Sequence, residues 1–466
     1  MNKVIKRNSF SSSLGFTLAA AASAVGLGNI WRFPYLAARD GGGVFLLVYI
    51  VLALTFGFTL LITEVAIGRK TQQGPLTAYS VLHPKFGFIG KFAFIVPYLI
   101  YPYYCVIGGW ALRYMTAFVT WNMDSAASDS FFAGFTSSVW SPIIYTAIFA
   151  FLCWYIVCKG VNKGIERYSR IIMSGLVILV IFISCYSLTI SNTDMSTGVT
   201  RTGLQGAGIY FVPDFQGMTL KRFFMIVVDA MGQLFYSLSI AMGIMVAYGS
   251  YMRKEENLGK AIDLIEIFDS VIAILAGLMI IPAVYVFMGT EGMSAGPSLM
   301  FITLPKVFQS LGTFGNIIGS LFFIMVVFAA VTSAVSILEA ITVSMMDRYK
   351  QPRTEAVTRR SLAAIIISVV VCLGYNVLYF NVTLPNGANA QILDIMDYIS
   401  NNLLMPVLAF STCLLVGWFI KPETIIDEVC LNGYKFRRRS VYVIMVRYIA
   451  PIMLMILFFG AFGLTR

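Results

Sequence analysis

Charge is scarce in this chain and histidine is almost absent. Of 466 residues only 12% are Asp, Glu, Lys or Arg, one is His, and the mean hydropathy is +0.82. Soluble globular domains carry about 25% charged residues, so a soluble enzyme or binding domain is excluded. The single His83 stands before Pro84 in a loop and reads as a solvated loop residue. The seven cysteines are scattered, mostly inside apolar runs and without a CxxC pair, which indicates neither a disulfide framework nor a metal site. No paired acid and base or metal-ligand constellation appears, so the chain does not read as an enzyme. Ten-residue alternating strands are also missing, which excludes a β-barrel.

What is present is a series of apolar runs of membrane-spanning length. Eleven spans are predicted, at about 13–36, 43–70, 88–121, 141–158, 168–190, 222–252, 263–289, 314–347, 358–380, 392–420 and 440–463. The fold class is therefore an all-α integral membrane protein, with residues 1–466 forming a single domain. Most of the 33 Lys and Arg fall on alternate loops, including Lys3, Lys6 and Arg7, then Arg69 and Lys70, and the run Lys435–Arg439. This bias puts the N-terminus in the cytoplasm, and the odd span count puts the C-terminus outside. The formal charge of +11 thus reports topology rather than a nucleic-acid partner. The opening run could also be a cleaved signal peptide, but it continues into a polar-decorated segment that a signal would not need. The loop 191–221 is polar and external. The loop 295–308, AGPSLMFITLPKVF, is too apolar to be simply solvated and suggests a lid packed onto the bundle.

The stretch that organises the rest is Ala20–Asp40. It begins as an apolar helix and then carries Gly26, Gly28, Asn29 and Arg32 at membrane depth. A charge there costs about 2.5–3.5 kcal/mol on insertion scales, and non-helical backbone at that depth survives only where it is buried in protein or lines a cavity. The first span breaks at AVGLGN (24–29) and the sixth at SLSIAMG (237–243). Five is odd, so the two halves have opposite topology, with repeat one at about 13–190, repeat two at about 222–420 and an extra span at about 440–463. Such a pair of interrupted segments points to a transport site near the midplane. Around the breaks stand Asn29, Gln233, Ser237, Ser239, Asp269, Thr332, Ser333, Glu339, Asp394 and Asp397. Individual Ser and Thr often bond their own helix, and Asp394 can simply mark an interface. Asp269 and Glu339 need a cation or donors if buried. Hard neutral oxygens with few carboxylates suit a monovalent cation, and sodium better than calcium.

The sequence AVGLGNIWRFPYLAARDGGGVF, with GQLFYSLSIAMG (232–243), YGSYMRKEEN (248–257), AGPSLMFITLP (295–305), FAAVTSAVSILEA (328–340) and LDIMDY (393–398), resembles the bacterial amino-acid branch of the neurotransmitter:sodium symporter family, in its eleven-span form, over about residues 10 to 460. Broken helices are a feature by which that family is known, so the symmetry and the resemblance are one argument rather than two. The resemblance implies an inverted five-plus-five helix repeat with helices 1 and 6 broken, and sodium-coupled symport of an amino acid by alternating access across a bacterial inner membrane. It implies two sodium sites. The first uses the Ala24 carbonyl, Asn29, Ser237, Asp269 and the substrate carboxylate. The second uses the carbonyls of Ala22, Val25 and Ala329 with the hydroxyls of Thr332 and Ser333. Substrate would lie near Ala24, Gly26, Gly28, Tyr104, Tyr236 and Ser239, with its side chain among Ile100, Met242 and Ile337. Gly26 leaves room for a substrate carboxylate, and the pocket favours a hydrophobic or aromatic L-amino acid.

Arg32 and Asp397 match the family's outer gate, and Arg7 and Asp347 near Tyr251 match its inner gate. Departures are the missing twelfth span, Phe10 in place of an inner-gate tryptophan, and Ala22 in place of a glycine. No chloride requirement is expected. Tyr49, Gln233 and Ser237 form most of a halide cradle, but Asp269 stands where chloride-dependent relatives carry asparagine. A monomer should suffice for transport. Rival readings are weaker. A channel needs a continuous polar pore, and a receptor on this scaffold usually adds a soluble output domain.

Overall fold

In the computed structural model, residues 9–193, 198–289 and 299–463 are described. The spans are all helical, because a backbone in lipid must satisfy its own polar groups. The Ser12 hydroxyl accepts from the Gly15 N–H at 3.1 Å and starts α1 (Ser13–Ala24). After a short break α2 (Gly28–Arg39) leaves at 51° to it. There follow α3 (Gly43–Thr71), α4 (Pro84–Val119), α5 (Trp140–Cys158) and α6 (Val161–Thr189). A second broken element comprises α7 (Leu220–Ser237) and α8 (Ile244–Gly249). The last five are α9 (Leu258–Met288), α10 (Thr313–Tyr349), α11 (Arg353–Leu373), α12 (Ile392–Phe419) and α13 (Arg439–Gly460). Among the described residues nine helices are long and apolar enough to cross a membrane, or ten if α1 and α2 count as one span. Each predicted run coincides with one helix or one broken pair, and the ends agree to within several residues.

Burial separates the post of the structure from its rim. The most apolar stretch of α10 is 83% buried, while that of α6 and that of α13 are each 33% buried. α10 packs along α4, α5, α6 and α11, and also touches α1 and α8. The short α8 is seated against α3 through two glycines. A Cβ on Gly68 would stand 2.0 Å from the Val246 carbonyl, and one on Gly249 would stand 2.2 Å from the Val65 carbonyl. Only glycine permits so close an approach of the two backbones.

The loop 191–221 holds a small antiparallel hairpin, Ser191–Thr193 with Thr200–Thr202, and a helix, Gly203–Phe211, opened by a Thr202–Gln205 capping box. The lid expectation for 295–308 holds over its described part, 299–308. Leu299, Met300, Phe301, Val307 and Phe308 are buried, and the Tyr114 hydroxyl donates to the Phe301 carbonyl at 2.6 Å. Arg69 requires a correction. It reads as a loop charge, but α3 continues past it to Thr71 and its side chain is wholly buried. It donates to Glu428 Oε1 at 2.7 Å and to the Glu256 carbonyl at 2.9 Å, so it ties the loop at 256 to the short helix Glu423–Val429.

Candidate functional site

The end of α1 supplies the first polar surface. An α-helix leaves its last four carbonyls without intrahelical partners. The Ala21 carbonyl takes the Val25 N–H at 2.8 Å. The Ser23 carbonyl takes two hydroxyls, Ser239 at 3.0 Å and Ser333 at 3.1 Å. Ala22 and Ala24 receive no backbone N–H among the described residues. Their carbonyls are therefore available at the buried break, as are the Asn29 Oδ1 and Gln233 Oε1 atoms, both buried without a partner.

Beside the break, Asp269 of α9 is buried with no cationic partner among the described residues. It is met instead by neutral donors. Asn29 Nδ2 lies 2.7 Å from Oδ1, the Ser237 hydroxyl lies 2.7 and 2.6 Å from the two oxygens, and the Tyr49 hydroxyl lies 3.1 Å from Oδ2. The structure thus brings Asn29, Ser237 and Asp269 together, with Tyr49 and the neighbouring Gln233, whose amide donates to the Gly28 carbonyl at 3.0 Å. An unpaired carboxylate with an unpartnered amide oxygen fits a hard monovalent cation. On α10, the Thr332 hydroxyl lies 3.0 Å from the Ala329 carbonyl, one residue before Ser333. Of the three, Ser333 is joined to the end of α1, through the Ser23 carbonyl, while the Thr332 hydroxyl is bonded within its own helix, to the Phe328 and Ala329 carbonyls.

Between these polar groups and one face of the bundle lies a cavity of about 500 Å³. Gly26, Gly28, Ile100, Tyr104, Tyr236, Ser239, Met242 and Ile337 all line it, and Ala24 does not. The Leu27 N–H points to the Tyr104 hydroxyl at 3.5 Å. A Cβ on Gly26 would stand 2.5 Å from Ser333 Oγ, so any side chain there would displace the hydroxyl that Ser333 gives to the Ser23 carbonyl. The apolar wall of Ile100, Ile107, Met242, Ile244 and Ile337 and the aromatic rings of Trp110, Phe132 and Phe301 extend the cavity from the break.

Arg32 and Asp397 line the open end of that cavity but form no ion pair within 4 Å of each other among the described residues. Arg32 lies over the Tyr236 ring at 4.4 Å. Asp397 Oδ1 accepts from the Tyr236 hydroxyl at 2.7 Å, the Tyr103 hydroxyl at 3.0 Å and Asn401 Nδ2 at 2.5 Å. The opposite face is closed by Phe10, which is wholly buried among Phe16, Tyr248 and Tyr251. There the Tyr251 hydroxyl donates to Glu339 Oε1 at 2.7 Å, and Arg353 Nη1 donates to the same oxygen at 3.1 Å. Asp347 Oδ2 accepts the Gly74 N–H at 2.5 Å, and Arg7 lies outside the described residues. Asp394 has the bland role, taking the Gln391 N–H at 2.9 Å in a capping box.

Sequence reasoning missed Ser23, Tyr103, Asn401 and Glu64. Glu64 had a signal, a carboxylate inside the apolar run FTLLITEVAIG. Its Oε1 accepts the Ala241 N–H at 2.7 Å in the second break. Ser23 acts through its carbonyl, which no residue type announces.

Comparison with known proteins gives one consistent result. The sequence profile described as the sodium:neurotransmitter symporter family matches residues 7–133 and 138–464. A Bacillus subtilis protein, the uncharacterized sodium-dependent transporter YhdH, is 31% identical over 462 residues, with 98% of each chain covered. The rat sodium- and chloride-dependent taurine transporter is 25% identical, over 92% of this chain and 74% of its own. The crystal structure of MhsT in complex with L-phenylalanine superimposes with a TM-score of 0.84 at 33% identity, covering 98% of this chain and all of that one.

Proposed function

The chain belongs to the sodium:neurotransmitter symporter family, whose members are sodium-dependent membrane transporters and not enzymes, and from that premise we propose that it takes up a hydrophobic or aromatic L-amino acid together with sodium by alternating access. The observation that carries the substrate class is the cavity itself. Its inner end offers the backbone of Gly26, Leu27 and Gly28 and the Tyr104 hydroxyl for an amino acid's charged groups, and its wall is aliphatic and aromatic. Met242 adds adaptable packing for rings of different size. The neighbour MhsT, with its bound L-phenylalanine, supports the same class.

In this reading sodium is a co-substrate held at two places. Ala24, Asn29, Ser237, Asp269 and the substrate carboxylate hold the first ion, and Ala22, Val25, Ala329, Thr332 and Ser333 hold the second. Because ion and substrate share a shell, each completes the other's coordination. The two halves form an inverted repeat with the N-terminus cytoplasmic, so the cavity opens outward. Arg32 and Asp397 form the outer gate. Arg7, Tyr251 and Asp347 belong to the inner one. Uptake of an amino-acid panel into proteoliposomes, with and without an inward sodium gradient, tests the reading. Phenylalanine, tyrosine and tryptophan should lead leucine, all dependent on sodium. Best uptake of alanine or proline, or concentrative uptake without sodium, would overturn it.

Chloride should be dispensable. Two sodium ions and a zwitterion leave excess positive charge, and a fixed carboxylate nearby offsets about 4 kcal/mol at an effective dielectric near 20. Asp269 supplies that charge. Replacing chloride by gluconate should leave uptake unchanged, whereas Asp269→Asn combined with Ala273→Ser should make it chloride-sensitive. A large loss in gluconate for the unmutated protein would refute the assignment.

A further inference from the structure

A second cavity, also of about 500 Å³ and with no lining residue in common with the first, lies where α9 begins and where the segment 435–438 leads into α13. Four cations line it, Lys260, Lys435, Arg437 and Arg438, against a single carboxylate, Asp263. Arg438 is already engaged. It donates to Glu266 Oε2 at 2.8 Å, to the Leu54 carbonyl at 3.1 Å and to Asp263, and its guanidinium lies 3.5 Å from the centre of the Phe58 ring. Burial draws the Arg438 pKa down, but Glu266 and Asp263 more than offset this and leave it above its ordinary value. Both nearby carboxylates are therefore committed to Arg438. Lys260, Lys435 and Arg437 are exposed and form no ion pair among the described residues. The backbone adds positive potential, because the first turn of the 31-residue α9 opens here at Gly259.

The surroundings decide what kind of anion belongs there. Outside the cavity itself, Leu54 is 48% exposed and Ile267 56%, on α3 and α9, which contribute to its lining, and Val441 is 38% and Ile444 51% exposed on α13, into which the lining segment 435–438 leads. A small inorganic anion would use the cations and nothing else. An amphiphile would use both the cations and the exposed aliphatic side chains of the helices around them. Basic pockets between membrane helices are suited to anionic headgroups. We propose that this cavity is a headgroup site for an anionic phospholipid. Lys260, Lys435 and Arg437 hold the phosphate, and the acyl chains lie along α3, α9 and α13. Arg438, tied to both α3 and α9, sets the floor of the site.

The test uses the full-length protein, delipidated and titrated with phosphatidylglycerol, with bound lipid counted by native mass spectrometry. Phosphatidylcholine and inorganic phosphate are the comparison arms. Wild type should retain phosphatidylglycerol in preference to phosphatidylcholine. The triple variant Lys260→Gln, Lys435→Gln, Arg437→Gln should lose about a hundredfold in apparent affinity. A control with Lys85→Gln, Lys91→Gln and Arg348→Gln, exposed cations elsewhere on the chain, should bind as wild type does. Equal retention by the triple variant, or equal loss in the control, would overturn the site. Displacement of the lipid by inorganic phosphate would overturn the lipid assignment in favour of a small-anion site. The readout is lipid binding rather than uptake, so it stands or falls independently of the amino-acid reading.

Discussion

The two breaks in the bundle solve the same problem with different chemistry. Between α1 and α2 the chain turns without a single positive φ among the described residues, and Val25 sits at φ −73°, ψ 87°. Glycine serves there for clearance, since a Cβ on Gly26 would meet the Ser333 hydroxyl at 2.5 Å and one on Gly28 would crowd Tyr236 Cβ at 3.2 Å. Between α7 and α8 the chain takes the left-handed region three times, at Ser239 (φ 51°), Ala241 (φ 57°) and Gly243 (φ 71°). Only one of these is glycine. Left-handed conformation costs a non-glycine residue about 1–2 kcal/mol, so the second break stores strain and needs a brace. Glu64 is that brace, reaching from α3 to the Ala241 N–H. The first break is shaped by space and the second is held under tension.

Substitutions at four positions press on that contrast. The largest effect should come from Gly26→Val. The added atoms meet Ser333 and enter the cavity, overpacking costs about 1–3 kcal/mol, and substrate affinity should fall about 10- to 100-fold. Equilibrium binding of labelled substrate to purified protein reads this directly, and unchanged affinity would mean that the first break is not limited by space. Next is Glu64→Leu, which leaves the Ala241 N–H buried without an acceptor, at a cost of about 1–3 kcal/mol. A lowered Tm in detergent is expected, with near wild-type behaviour for Glu64→Gln, which keeps an acceptor. Gln233→Leu at the first break should cost less, because the Gly28 carbonyl it abandons borders the cavity and can take a water. If Leu and Gln at position 64 behaved alike, the brace would be refuted. The smallest effect is Ala241→Gly. Relief of the left-handed strain outweighs the added unfolded-state entropy of glycine, about 0.5–1 kcal/mol, and Tm should rise slightly. A fall would show that Ala241 is not strained.

Much of this was legible beforehand, for a physical reason. A span must be about 20 apolar residues long, so the helices could be bounded from composition alone. The breaks were legible because glycine and asparagine stand together with a charge at membrane depth in the first, and two serines with a glycine in the second, a clustering that single helix-bonded serines do not produce. The second break shows where that signal thins out. SLSIAMG announces polar side chains but not that Ser239 and Ala241 adopt positive φ, nor that the support comes from Glu64, 177 positions away. The basic residues were read for their sign alone. Arg69, Arg353 and Arg438 have buried or half-buried partners on other elements, and which carboxylate a cation finds is decided by packing. The outer pair was the subtlest. Both Arg32 and Asp397 stand at the mouth of the cavity as expected, but Tyr103 and Asn401 occupy the carboxylate, and neither is distinguishable in sequence from its neighbours.

That occupancy has a kinetic consequence. Asp397 Oδ1 is not an empty seat waiting for Arg32. It carries Tyr103, Tyr236 and Asn401, so a guanidinium arriving at that oxygen must exchange with one of three donors, whereas one arriving at Oδ2 leaves all three in place. Tyr236 belongs to both sides of that exchange, since its hydroxyl is one of the departing donors while its ring carries Arg32 and borders the cavity beside Gly28. A molecule that shifts this ring changes how fast the exchange proceeds, without touching either charge.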